Sequence, residues 1–433
     1  MRRSRNVTVM LRTCLTLTCV MLIVGAATDS VMADQWPRFR GDNGTGVSEL
    51  KGLPTSWTES DYEWVVKLPG VGHSSPVIWD EALFLTTALE DGTRTLHRFN
   101  AITGEEVWSR STLLEVPTLH GKSSMASSTA ALDGERVYSL LADDNQNLVQ
   151  AHTFDGELVW QKDLGPYTSQ HGIGVSPIIY EDLLIVMNEQ AGPSSIVALN
   201  RQTGDEVWHH GRPSKEVSYS TPMILSLDGR APQLICAGEP GGVISLNPLD
   251  GTEIWTTAAM PLRTVSSMVY GNGVVIASCG SGGMGKYMRA IDPTGSGDVT
   301  ATHIRYERLE KEHLHYVPTP IVLGENLFLW CDRGIVCCVE MASGRTIWFE
   351  RIGGGNYSGS PIIVDGKLYC VSEEGEVVVL SAGPEFREYG RSPLGEGSHA
   401  SPAVANGRLY IRGFQRLVSL RAKSMVEAAG AGK

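Results

Sequence analysis

Short apolar runs separated by turn residues follow one another along almost the whole chain. After Gly359, for example, the run SPIIV is followed by the turn DG, the run KLYCVS, the turn EEGE and the run VVVLS. Such runs predict β-strands, and Asp-Gly predicts a two-residue hairpin because both of its residues tolerate positive φ. The same device recurs at Asp133-Gly134, Asn272-Gly273 and Asn406-Gly407. The pattern therefore predicts an all-β chain of consecutive hairpins.

A phrase that ends in tryptophan commonly follows the third predicted strand of a unit. It reads TGEEVW at 103–108 and TGDEVW at 203–208, and looser copies recur at a period of about 47 residues, which indicates stacked supersecondary units. One copy is blurred: GSGDVT at 295–300 keeps the turn glycine without the indole. We expect the indoles to be core residues that seal each unit against its neighbour and donate N–H to a backbone carbonyl. These predicted seals are Trp64, Trp108, Trp160, Trp208, Trp255 and Trp348.

A second marker, a short Ser/Thr-Pro stretch before the first strand of each unit, has the same period. It occurs at Pro76, Pro177, Pro222, Pro320, Pro361 and Pro402, and the sequences SST ending at Thr129 and SSM ending at Met268 fill the two gaps. Eight units of four antiparallel strands predict an eight-bladed β-propeller. Only three strands follow the last marker, so residues 62–68 are expected to complete the final blade as its outer strand and to remove the open sheet edges.

The N-terminal residues predict a secretory signal peptide at 1–33. Four arginines precede an apolar run at 15–27, and the small-residue sequence Val31-Met32-Ala33 predicts the cleavage site. The run is shorter than the ~20 residues that span a membrane, so no integral span is expected. The remaining predicted segments are an N-terminal extension (34–58), the propeller (59–421) and a disordered tail (422–433). An exported protein, periplasmic or extracellular, follows from this interpretation.

The charge of the chain restricts its partners. A formal net charge of −12 repels phosphate backbones, so nucleic acid is not expected as a partner. Six cysteines follow the predicted leader, at positions 236, 279, 331, 337, 338 and 370, without metal-ligand spacing. They are expected to be buried free thiols, and a disulfide within the hairpin 331–338 stays open as an alternative.

The repeated Leu-Asn ending, the TG or DG turn and the Val/Ile-Trp pair resemble the PQQ-like propeller repeat family. This family includes quinoprotein alcohol dehydrogenases and an outer-membrane assembly lipoprotein propeller, and WPRFRG at 36–41 is similar to the opening of its exported members. For an enzyme of the family, the resemblance implies pyrroloquinoline quinone stacked between a tryptophan and a disulfide of adjacent cysteines, with calcium held by Glu, Asn and Asp.

The residues offer only part of that set. Cys337-Cys338 is an adjacent pair, but it lies in a predicted third strand, where successive side chains face opposite ways. Six tryptophans are predicted seals and none of the others is placed to stack on a quinone. No set of Glu, Asn and Asp ligands for calcium can be assigned. We therefore expect a non-catalytic exported propeller, without a cofactor, that serves as a binding or assembly scaffold. The alternative is a PQQ-dependent dehydrogenase, with calcium, that oxidises alcohols or sugars.

Histidines concentrate in the loops that lead into the first strands. Six of the eleven lie within nine residues upstream of a marker: His73, His120, His171, His313, His315 and His399. His73 and His399 stand three residues before their marker prolines, so after ring closure they should face one another at the channel mouth, and Tyr219 holds the matching position in the fourth blade. We expect this rim to meet a protein or small-molecule ligand of a monomeric propeller. Neutral imidazoles also suit zinc, copper or nickel, which leaves a metal open.

Overall fold

The secondary structure consists of strands and two short 3-10 helices within residues 35–239, 241–281 and 286–423, the residues that the computed structural model describes. The helices are Asp42–Gly44 and Glu59–Asp61. Two strands precede the first blade, β1 (Val47–Ser48) and β2 (Trp64–Lys67). The predicted leader and residues 424–433 of the predicted tail lie outside the described residues. Within the described ranges no helix is long and apolar enough to cross a membrane.

The remaining strands form eight blades in chain order. Blade 1 contains β3 (Val77–Trp79), β4 (Ala82–Ala88), β5 (Thr93–Asn100) and β6 (Glu106–Leu113). Blade 2 contains β7 (Ala131–Leu132), β8 (Arg136–Ala142), β9 (Asn147–Thr153) and β10 (Leu158–Asp163). Blade 3 contains β11 (Ile178–Tyr180), β12 (Leu183–Asn188), β13 (Ser195–Asn200) and β14 (Glu206–Gly211). Blade 4 contains β15 (Met223–Leu225), β16 (Gln233–Ala237), β17 (Val243–Leu246) and β18 (Glu253–Thr256).

The second half of the ring repeats this order. Blade 5 contains β19 (Val269–Gly271), β20 (Val274–Gly280), β21 (Lys286–Ile291) and, after the short β22 (Gly297–Asp298), β23 (Ile304–Glu310). Blade 6 contains β24 (Ile321–Leu323), β25 (Asn326–Cys331), β26 (Ile335–Glu340) and β27 (Thr346–Arg351). Blade 7 contains β28 (Ile362–Val364), β29 (Lys367–Val371), β30 (Glu376–Ser381) and β31 (Glu388–Pro393). Blade 8 contains β32 (Ala403–Ala405), β33 (Arg408–Arg412) and β34 (Arg416–Arg421).

Each blade is an antiparallel sheet, and the predicted eight-bladed propeller is confirmed. The hairpins use the predicted turns: Asp365 (φ 50°) and Gly366 (φ 67°) both have positive φ, as do the pairs at Asn272 and Asn406. Asp133-Gly134 differs, because only Gly134 has positive φ. There the Asp133 carboxylate accepts N–H bonds from the two residues that follow the glycine, so the turn is longer than two residues.

Ring closure follows the sequence prediction. Strand β2 pairs antiparallel with β34, with Trp64 opposite Ser419 and Lys67 opposite Arg416, and so supplies the outer strand of blade 8. The paired strand is slightly shorter than the predicted range 62–68. Because chain start and chain end meet in one sheet, no blade is left without its fourth strand.

Most of the six tryptophans predicted as seals contact the next blade. Five of the six indoles donate N–H to a backbone carbonyl of the next blade, for example Trp108 to Phe154 at 2.7 Å. Trp255 is the exception: it is fully buried and donates to the Gln233 side chain at 2.8 Å. The turn glycine permits the close contact, since a Cβ on Gly204 would lie 2.6 Å from the Trp160 ring.

The blurred copy is placed differently from the prediction. Residues 297–298 form β22, which pairs in parallel with β18 of blade 4 and does not supply the outer strand of blade 5. That strand is β23, where Tyr306 takes the place of the indole: its hydroxyl donates to the Met341 carbonyl at 2.8 Å, and its ring packs on Gly344. The connection between β21 and β23 is long and contains β22, so the sealing aromatic residue of blade 5 lies later in the sequence than the period predicts. Spacing alone therefore placed the outer strand of this blade wrongly.

The predicted N-terminal extension is part of the propeller's packing. Trp36 is buried and pairs with Ile78 of blade 1, Asn43 exchanges two hydrogen bonds with the backbone of Ile224 in blade 4, and β1 pairs in parallel with β28 of blade 7. The segment therefore touches the inner strands of blades on different sides of the channel. At the other terminus, Lys423, which the sequence assigned to the tail, donates its N–H to the Gly52 carbonyl.

Candidate functional site

A cavity of about 940 Å³ lies on the channel axis, at the end where the loops lead into the first strands. We call this cavity the cup. One Ser or Thr from each of the eight markers lines it: Ser75, Thr129, Ser176, Thr221, Ser267, Thr319, Ser360 and Ser401. Phe39 of the N-terminal segment also lines the cup, whereas its neighbours Pro37 and Arg38 line a second cavity of about 690 Å³. The segment therefore lies between the two cavities and forms a floor to the cup.

The eight lining residues form a closed circle of hydrogen bonds, which we call the hydroxyl ring. The backbone N–H of each residue donates to the side-chain oxygen of its counterpart in the next blade, at 2.8 to 3.3 Å, and Ser401 of blade 8 donates to Ser75 of blade 1. This geometry explains the Ser/Thr marker, because each blade needs a short hydroxyl side chain at that point. Within the described residues these eight hydroxyls make no further bond as donors, so their hydrogens are available to a cavity ligand.

Two of the predicted histidines meet at the mouth of the cup. The rings of His73 and His399 lie 4.5 Å apart between centroids, and both contact Phe414. Burial, followed by the nearby His399 and Arg412, lowers the pKa of His73 to about 2, and burial also lowers the pKa of His399. Both imidazoles are therefore neutral at pH 7, and they line the cup.

A second imidazole pair lies across the loops of blades 2 and 3. The rings of His120 and His171 are 5.0 Å apart, and Tyr219 approaches His171 at 5.8 Å. His171 bonds to the Ser123 hydroxyl at 2.8 Å, and burial, with Arg263 and His120, lowers its pKa to about 4. These three aromatic side chains also line the cup, so four of the six upstream histidines reach it.

His313 and His315 do not line the cup, contrary to the expectation from their positions. His315 is fully buried, bonds to the Ser278 hydroxyl at 2.7 Å, and has its pKa lowered to about 3 by burial. His313 stacks on Phe349 of the outer strand β27, at 4.2 Å between centroids. Distance from a marker along the chain does not determine which way a loop side chain points, because packing against neighbouring strands decides it.

Charged residues at the mouth were not singled out from the sequence. Lys122 of the blade 2 loop reaches Glu373 of blade 7, with Nζ at 2.8 and 3.0 Å from the two carboxylate oxygens. Burial opposes ionisation of Glu373, but the hydrogen bonds from Lys122 and Ser358 lower its pKa. Arg263 also lines the cup, close enough to Tyr219 and Tyr316 for its charge to act on the pKa of both phenols. A search of the same loops for lysine and arginine would have found Lys122 and Arg263. It would not have found Glu373, which lies in the turn between β29 and β30.

The residues do not fit the quinone site that the family resemblance implies. Cys337 and Cys338 are free and fully buried, and their side chains belong to different cores on the two faces of blade 6. Neither cysteine lines the cup, and no tryptophan does. All six cysteines in the described ranges are free, including those of the hairpin 331–338. Among the described residues there is also no group of three His, Cys, Asp or Glu side chains placed to hold a metal ion.

Comparison with known proteins places the fold. Among solved structures, BamB from Moraxella catarrhalis is 15% identical, with a TM-score of 0.57, over 84% of this chain and 97% of that chain. Quinohemoprotein alcohol dehydrogenase from Comamonas testosteroni is 13% identical, with a TM-score of 0.68, over 90% and 81%. Sqt1 from Saccharomyces cerevisiae is 10% identical, with a TM-score of 0.61, over 84% and 99%. At these identities the likeness shows the fold alone.

A search of curated proteins found no significant match. A family model described as outer membrane protein assembly factor BamB matches residues 92–350 and 231–384, which together span more than half of the chain. The chain therefore belongs to this family of PQQ-like propellers.

Proposed function

We propose that the protein is an exported, non-catalytic propeller that binds a ligand or a partner's side chains in the cup. The observation that carries the proposal is the cup itself, a cavity of about 940 Å³ with a floor at Phe39 and walls of hydroxyl and imidazole groups. Its size falls in the range of ligand pockets, and concave sites with convergent polar groups are the usual binding sites of proteins. The N-terminal leader pattern and the family's description as an outer membrane assembly factor support export.

The lowered pKa values of two buried histidines in the cup favour a binding role over acid-base catalysis. His73 and His171 have pKa values of about 2 and 4, far below the operating range of a general base at neutral pH. A neutral imidazole still accepts or donates a hydrogen bond. His73 and His171 are therefore suited to the cup as fixed hydrogen-bonding groups of a binding site.

Replacing the facing histidines tests this role. His73→Ala with His399→Ala should lower retention of a co-purifying ligand or cross-linked partner at least tenfold, because both imidazoles line the cup. We expect a loss of about 1 kcal/mol in stability, since the rings pack on Phe414 but seal no blade. Native mass spectrometry before and after cross-linking measures retention. His209→Ala, on the exposed outer strand of blade 3, is the matched control.

Retention that is indifferent to the double change would contradict the cup as the binding site. The dehydrogenase alternative has a separate test, in which the purified protein is incubated with pyrroloquinoline quinone and calcium and assayed for dye-linked oxidation of alcohols and sugars. We expect no activity, because the adjacent cysteines face two separate cores. Quinone-dependent oxidation would replace the binding proposal with an enzymatic one.

A further inference from the structure

The cup is rich in cations although the chain is acidic. Its lining includes six basic side chains, Lys122, Arg263, Lys286, Lys311, Arg333 and Arg351. The lining acids are only three, Glu312, Asp332 and Glu373, in a chain with a formal net charge of −12. A concave site with an excess of one sign of charge attracts ligands of the opposite sign. The excess of basic over acidic side chains in the lining therefore favours a negatively charged ligand.

The cations differ in how far the protein neutralises them. Lys122 is paired with Glu373, and Lys286 is paired with Asp332. Lys311, Arg333 and Arg351 have no ion pair among the described residues, but they are exposed to water. Arg263 is different: among the described residues, its one carboxylate within ion-pair distance is Glu216, at 3.9 Å, and that carboxylate is itself exposed by 54%. The Arg263 side chain is only 19% exposed, so its charge is largely withdrawn from water without a close counter-ion.

The groups around Arg263 hold the guanidinium in place and add no negative charge. With the Gln170 amide oriented so that its oxygen faces the guanidinium, that oxygen accepts from both terminal nitrogens, at 2.7 and 3.1 Å, while Nε is enclosed and has no acceptor among the described residues. Burial raises the pKa of Tyr316 to about 12 and also raises that of Tyr219, so both phenols stay protonated at pH 7. Burial lowers the pKa of His171 to about 4, which leaves that imidazole neutral.

Tyr316 supplies an available donor beside this cation. Its ring lines the cup, and within the described ranges its hydroxyl has no hydrogen-bond partner, whereas the Tyr219 hydroxyl is bonded to Ser169 at 2.9 Å. A positioned guanidinium with a neighbouring O–H donor is the arrangement that recognises an oxyanion, because charge-assisted hydrogen bonds are the strong ones. Arginine suits this task better than lysine, since its planar fork matches carboxylate, sulfate and phosphate groups.

We propose that Arg263, with Tyr316, anchors the oxyanion of a small ligand in the cup, a carboxylate, sulfate or phosphate group. This inference rests on the proposed function and names the chemical class of its ligand. The floor at Phe39 makes the cup a pocket closed at one end, which fits a small molecule better than a chain threaded through the channel. The hydroxyl ring supplies donors for the uncharged part of the ligand.

Calorimetric titration of the purified protein tests the anchor. The probes are inorganic sulfate, inorganic phosphate and D-glucuronate, with D-glucose as the uncharged control, all at constant ionic strength because salt screens charge. At least one oxyanion should bind, and the probe that binds best identifies the group. Arg263→Met should weaken that binding at least tenfold, Arg263→Lys should retain part of it, and Tyr316→Phe should weaken it several-fold. Arg345→Met is the matched control, on an exposed turn of blade 6.

The outcomes separate this inference from the proposed function. If no oxyanion binds more tightly than D-glucose, or if Arg263→Met binds like the parent protein, the anchor is refuted. If the two-histidine variant loses a co-purifying ligand in that case, the cup remains a binding site for an uncharged ligand. Melting curves of the Arg263 variants show whether each variant is folded. Tyr316→Phe removes a single oxygen, so this variant still tests the anchor if Arg263→Met fails to fold.

Discussion

At the scale of single residues, the hydroxyl ring explains the most regular feature of the sequence. The Ser or Thr that each marker contributes to the ring does two things at once: its backbone N–H donates to the next blade, and its side-chain oxygen accepts from the previous one. Residues of other types lack the short oxygen that reaches this position. The ring is therefore a repeated local requirement that becomes visible as a period in the sequence.

Removing one oxygen from the ring should cost stability without changing shape. Thr319→Val is nearly isosteric and leaves the half-buried Ser267 N–H without its acceptor, which lies at 3.0 Å. An unpaired donor costs about 1–3 kcal/mol when it is fully buried, so at this half-buried position the free energy of unfolding in denaturant should fall by about 1 kcal/mol. Thr118→Val, at an exposed loop position, is the control and should fall within about 0.5 kcal/mol of the parent. Equal stability of the two variants would show that the ring does not stabilise the fold.

At the scale of elements, the outer strands and their aromatic residues join one blade to the next. At six junctions the indole or phenol of one blade donates to a carbonyl of the following blade, and the turn glycine lets the ring approach the backbone. Blade 8 receives its outer strand from the other end of the chain. The element that closes the ring is thus also the one that precedes the first blade.

Deleting residues 34–68 should destabilise the propeller strongly. The deletion removes β2 and the buried side chains of Leu53, Trp57, Tyr62 and Leu68, all of which belong to one core cluster. Each buried apolar side chain is worth about 1.5–3 kcal/mol, and the loss leaves the edge of β34 unpaired. We expect aggregation or a large drop in melting temperature, measured by calorimetry and light scattering. Deletion of residues 34–48 alone is the control, because it removes the floor of the cup and keeps β2. If the longer deletion melted at the same temperature as the shorter one, closure of the ring by β2 would be contradicted.

At the scale of the whole molecule, burial of histidines links stability to pH. Within the described residues the pKa values of His73, His152, His171 and His315 are all lowered, in each case mainly by burial. Each of these groups binds its proton more readily in the unfolded chain. Their contribution to stability is therefore complete above the unfolded pKa of 6.5 and is lost as the pH falls from there toward the folded value.

His315 should show this dependence most clearly because it is fully buried. Lys286 and Arg40 add to the cost of protonating it, and its folded pKa is about 3. At pH 5 the expected penalty is about 2 kcal/mol relative to pH 7.5. Unfolding in denaturant at pH 7.5, 6 and 5 measures the slope, which His315→Gln should reduce. Acidic side chains titrate mostly below this range, so an unchanged slope in the variant would assign the dependence to other histidines.

The sequence by itself determined the number of blades, the order of their strands, the sealing tryptophans and the closing strand, because each is a local pattern repeated at a fixed period. It also placed His73 opposite His399, since closure makes blades 1 and 8 neighbours. Only the tertiary structure showed that Phe39 floors the cup, that Lys122 reaches Glu373, and that His315 turns into the core. The physical reason is that packing between distant parts of the chain decides where a loop side chain points. Such contacts do not repeat along the sequence, so they leave no periodic signal in it.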